Sequence, residues 1–107
     1  MIPMEKLEYR LQASTCPTTN RSALCGVVGS GNLEILVRPG DEKEVCQITV
    51  NTSARGFGTI WQAVLEEFAE HNAAGATRIV INDMGATPAV VSLRLGQALS
   101  EYMGDAQ

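Results

Sequence analysis

The stretch VCQITVNTSARGFGTIWQAVLEEF, residues 45–68, changes character half-way along. Its first eight residues are rich in β-branched side chains, which suit a pleated, half-buried strand. After the loop SARGFG, the residues Ile60, Trp61, Val64, Leu65 and Phe68 recur at helical spacing and form one apolar stripe. Glu66, Glu67 and Glu70 decorate the other side. Thr59 reads as the N-cap, with Gln62 three residues on completing a capping box. A strand followed directly by a one-sided helix makes this a mixed α and β chain.

Downstream of that helix, NAAGA (72–76) is a stop, with Gly75 in the left-handed C-terminal role. TRIVIN (77–82) is a short strand, apolar on both faces, and DMGATP (83–88) is a turn. Thr87 as N-cap and Pro88 at the first helical position open a second helix. Its stripe is Val91, Leu95, Ala98 and Tyr102. Gly96 in its middle costs about 1 kcal/mol against Ala, or marks a close approach to the sheet.

Upstream, RPGDE (38–42) is a turn that follows the strand LEILV (33–37), with Leu33, Ile35 and Val37 on one face. ALCGVV (23–28) reads as a buried strand, and STCPTTNRS (14–22) as a polar connection. Leu7, Tyr9 and Leu11 alternate with polar residues, as in a half-buried strand; Met4, Leu7 and Leu11 also fit a helical stripe. The expected order is β-β-β-β-α-β-α. Short turns between the middle strands predict that those strands pair antiparallel. The expected class is α+β: a two-layer sandwich, mainly antiparallel, with two helices on one face.

The chain has 107 residues, consistent with one domain over residues 1–107, with 1–4 and 103–107 expected to be flexible. The net charge of −4 argues against a nucleic-acid groove, which needs clustered Lys and Arg. No run of about 18 apolar residues is present, so no membrane span is indicated, and residues 1–9 lack a signal-peptide core. A cytoplasmic location is expected. Cys16, Cys25 and Cys46 form no CxxC pair and His71 is the only histidine, so reduced thiols are expected rather than a metal site.

One segment stands out chemically. GVVGSGNLEIL (26–36) holds Ser30 between Gly29 and Gly31, with Asn32 following, at the expected tip of a hairpin. The plain alternative is that the glycines and Asn32 serve the turn and Ser30 is solvated filler. Flanking glycines also leave the hydroxyl open to another protein's active site. Self-activation lacks support, because a serine nucleophile needs a base within reach. The G-x-S-x-G elbow and the Walker pattern are both absent. Ser30 reads as a serine that is acted upon.

Together, LCGVVGSGNLEILVRP (24–39) and INDMGATPAVVSLRLGQAL (81–99) resemble the acyl-carrier (delta) subunits of malonate decarboxylase, and more distantly the acyl-carrier subunit of citrate lyase. The resemblance covers roughly residues 5–102. It implies a covalent arm, 2'-(5''-phosphoribosyl)-3'-dephospho-CoA, joined to Ser30 by a phosphodiester. It implies acetyl and malonyl thioesters carried on that arm, exchange of the acetyl group for malonate, and decarboxylation by other subunits. The implied partners are the acyl-transferase subunit, the decarboxylase subunits and a prosthetic-group transferase, and the chain itself would not be catalytic. The choice of malonate over citrate rests on the resemblance alone. An unmodified assembly or regulatory subunit is the rival from another class.

Other candidates have plain readings. NTS (51–53) matches a glycosylation acceptor without a secretory signal to use it. Ser53 lies in a second glycine-rich loop, where Arg55 is a candidate phosphate contact. Asp83, Gly85 and Thr87 are assigned to turn and cap geometry. Trp61 and Phe68 are assigned to the core.

Overall fold

The structure, a computed structural model, describes residues 4–16, 26–30 and 32–104, with the side chains of 26–30 excepted. The elements are β1 (Glu5–Gln12), β2 (Gly26–Ser30), β3 (Leu33–Pro39), β4 (Val45–Thr52), α1 (Gly58–His71), β5 (Thr77–Asp83) and α2 (Pro88–Met103). This is the order expected from sequence. Cys25, Gly31, the start of ALCGVV and residues 17–22 of the polar connection lie outside the described residues.

The five strands form one sheet in the order β1-β4-β5-β3-β2. Three of the four ladders are antiparallel, and β4 and β5 run parallel with α1 between them in sequence. The short connection between β3 and β4 therefore does not make them neighbours, contrary to the sequence reading. β5 inserts between them and pairs with both. The physical reason lies in burial. Ile79 and Ile81 are fully buried, so β5 belongs in the centre of the sheet, where helices cover one face and strands cover both edges.

Register aligns the apolar residues of each strand into transverse rows. One row is Tyr9, Ile48, Ile79 and Val37; the next is Leu7, Val50, Ile81 and Ile35. On these rows α1 lays Trp61, Leu65 and Phe68, and α2 lays Val91, Leu95, Ala98, Leu99 and Tyr102. Each such side chain contributes about 1.5–3 kcal/mol when taken out of water. The opposite face is mostly polar, with Leu36 and Val80 paired in its middle. There Asn51 bonds Asn82, Asn82 bonds Glu34, and Arg10 pairs with Glu42. The second-helix stripe, and the burial of Trp61 and Phe68, match the sequence reading.

Three local expectations are corrected. The N-cap of α1 is Phe57, with no side-chain cap; Gln62 bonds Glu66 one turn on instead of closing a box with Thr59. Ile60 is 46 % exposed rather than part of the core stripe. Trp61 takes the core position, and Ile60 lies one residue, about 100° of helix, away from it. The left-handed residue after α1 is Ala76 (φ 65°), not Gly75. Gly75 is needed for space: a Cβ there would lie 2.6–2.8 Å from the carbonyl oxygens of Ala13, Lys43 and Ser14. Among the described residues Gly96 has no such neighbour within 4 Å.

Candidate functional site

The ends of all five strands meet along one edge of the sheet. Register places Ser30 opposite Leu33, Leu33 opposite Asp83, Asp83 opposite Thr52, and Thr52 opposite Glu5. Both helices begin at this edge, because α1 follows β4 and α2 follows β5. It is also the carboxyl end of the parallel pair β4 and β5, the place where open α/β sheets bind their ligands.

Gly29 and Ser30 are the last two residues of β2, paired with Glu34 and Leu33. The hairpin tip is thus narrower than the sequence suggested, with only positions 31–32 between the strands. Asn32 is exposed. Its carbonyl accepts the Met84 N–H at 2.9 Å, which pins the hairpin to the turn after β5.

Asp83 organises that turn. It is 2 % exposed. Its Oδ2 accepts from Thr52 Oγ1 at 2.8 Å, and its Oδ1 accepts from the N–H groups of Gly85 and Ala86 at 3.2 and 2.8 Å. Thr52 Oγ1 in turn accepts the Ala54 N–H at 3.0 Å, and the Asp83 carbonyl accepts the Ser53 N–H. A buried carboxylate is tolerable when its oxygens are bonded in this way. Thr87 then caps α2 by accepting the Val90 N–H, with Pro88 in the first turn. The turn-and-cap roles assigned to Asp83, Gly85 and Thr87 are those the structure shows. The reach of Asp83 to Thr52 was missed; the available signal was a threonine in the apolar phase of the β4 alternation.

Beside Asp83 a cavity of about 330 Å³ opens between the first turns of the two helices. Phe57, Ile60, Trp61 and Val64 line one wall, and Pro88 and Val91 the other. Phe57 and Ile60 are each 46 % exposed at its mouth. Their signal in the sequence was an apolar pair in excess of what one core stripe requires.

His71 and the described cysteines sit elsewhere. α1 starts at the Ser30 edge and its 14 residues carry His71 about 21 Å away, where the exposed ring meets the Glu67 carbonyl. Cys46 is buried and its thiol is pushed up to about 11 by desolvation; burial also raises Cys16. No group of His, Cys, Asp and Glu among the described residues is arranged to hold a metal. Among the described residues no helix is long and apolar enough to cross a membrane. Asn51, the would-be glycosylation acceptor, lies within β4 and bonds Asn82. Ser53 is half-buried and Arg55 exposed in the loop that leaves the same edge. On α2, the helix that packs along β2, Arg94 keeps its Nε buried with no hydrogen-bond partner among the described residues, while its Nη1 donates to Gln97.

Residues 20–102 match the family described as malonate decarboxylase delta subunit (MdcD). The chain belongs to this family. It is 51 % identical over 102 residues to the malonate decarboxylase acyl carrier protein of Acinetobacter calcoaceticus, covering 95 % of this chain and all of the relative. The corresponding protein of Burkholderia cepacia is 50 % identical over 98 residues, covering 92 % and 90 % of the two chains. Among solved structures, a chain of a Pseudomonas malonate decarboxylase hetero-tetramer in complex with malonate superposes with a TM-score of 0.74. That match is at 39 % identity and covers 92 % of this chain and 99 % of the other. The α+β architecture is thus that of the family.

Proposed function

We propose that this chain is the acyl carrier subunit of a malonate decarboxylase, with Ser30 as the covalent anchor of a 2'-(5''-phosphoribosyl)-3'-dephospho-CoA arm. The observation that carries this reading is family membership at about half identity over nearly the full length of both chains. It also favours malonate over citrate, which the residues alone left open.

The chain's own features fit such an arm. Ser30 ends a strand at a narrow hairpin, where a transferase can approach it, and Asn32 fixes that hairpin to the rigid Asp83 turn. A phosphodiester needs a cationic donor nearby. Arg94, with a buried Nε that has no partner among the described residues, on the helix that packs along β2, is suited to that task, and exposed Arg55 lies at the same edge. When bound, the arm supplies a thiol that carries the acyl group as a thioester, whose carbonyl takes up the electron pair left by carbon dioxide. The fold contributes position: a rigid sheet holds the anchor so that successive active sites are met at high effective concentration. The partners are the acyl-transferase subunit, the decarboxylase subunits and the transferase that attaches the arm, all acting in the cytoplasm.

The test is reconstitution of the complex with Ser30→Ala. The expected result is a complex that co-purifies normally, because the change is small and at a strand end, yet releases no carbon dioxide from malonate. Full activity of that variant would support an unmodified assembly subunit instead.

A further inference from the structure

We infer that the cavity between the first turns of α1 and α2 is the resting place of the thiol-bearing end of the arm. The inference rests on Ser30 being the anchor. Three observations carry it. First, the cavity lies within reach along the sheet. Asp83, on its floor, is two strands from Ser30 in the same register row, a span of about 10 Å at the usual strand spacing. Second, its volume of about 330 Å³ lies at the lower end of the range for small-molecule sites, which suits a slender chain. Third, its lining is mostly apolar. Phe57 and Ile60 stand half-exposed at its mouth, and Trp61 and Val91 are buried in its walls.

Asp83 is held on the floor by Thr52, Gly85 and Ala86, so the cavity keeps its shape while it holds the arm's end between visits to the other subunits. The lining also explains why α1 spends two apolar residues beyond its core stripe.

The experiment compares the unmodified chain with the arm-loaded chain, loading being verified by mass, and reads Trp61 through acrylamide quenching. Loading should lower the quenching constant. Ala86→Leu, which fills the cavity while keeping its backbone bond to Asp83, should abolish that difference. In a Cys25→Ser background, the arm's thiol should react with an aromatic disulfide faster in the Ala86→Leu protein, by about two-fold if the rest state is occupied half the time. Buried Cys16 and Cys46 should contribute little to that signal. A verified loaded chain whose Trp61 is quenched as in the unmodified chain would overturn the inference and leave the anchor intact. Protection that arises only on adding the other subunits would also overturn it, and would assign the cavity to a protein partner. A chain that gains no mass at Ser30 would remove the reading on which it rests.

Discussion

The two ends of the sheet are built on opposite terms. At the end away from Ser30, backbone packs on backbone. Gly75 donates to the Ser14 carbonyl and accepts from Cys16, Ala76 donates to Val45, and Gly40 donates to Ala76. A Cβ at Gly40 would meet the Thr77 backbone at 2.8 Å, and one at Gly75 three carbonyl oxygens. At the Ser30 end, Gly56 and Gly85 have positive φ but nothing within 4 Å, and a cavity stands open between the helices. One end closes the fold and the other is left accessible. The difference shows that glycine carries two meanings in one chain: lack of room at the first end, backbone conformation at the second.

Substitution should separate these meanings. Gly75→Ala should have the largest effect, because no rotamer relieves a clash with three backbone oxygens. A loss of about 3 kcal/mol, near the upper end for overpacking, is expected in urea unfolding. A loss below about 1 kcal/mol would mean that the closed end yields. Asp83→Ala should come next. It strands the Thr52 hydroxyl and the N–H groups of Gly85 and Ala86, at roughly 2–3 kcal/mol after partial access of water. The same measurement on an isosteric Asp83→Asn should recover part of this, since one oxygen remains to accept. Gly85→Ala should cost least, about 1–2 kcal/mol, from φ alone. If its effect equalled that of Gly75→Ala, the contrast between the ends would fail.

The same contrast explains what the sequence made legible. β4 and the body of α2 were readable because period and burial coincide there: Val91, Leu95, Ala98 and Tyr102 all face the core. Thr87 and Pro88 were readable because capping is local chemistry. The place of β5 between β3 and β4 was not, since strand order depends on which residues a whole layer buries, and no turn between neighbouring segments encodes that. Gly75 was misassigned because its constraint comes from residues 13, 14 and 43, far away in the chain. The serine was legible as a hydroxyl between glycines, and the family segments implied a role for it by resemblance. The cavity was not legible, because it arises only when two helix starts and two strand ends are brought to one edge.

The central claim is that the open end presents Ser30 for covalent loading. The most direct measurement is the intact mass of the chain purified from cells that make the whole complex, with the modified peptide sequenced by tandem mass spectrometry. The account predicts an added mass equal to one phosphoribosyl-dephospho-CoA, located on Ser30 and absent from Ser30→Ala made in the same cells. An unmodified chain from an active complex, or the same mass carried on Ser53 or any other residue, would contradict it.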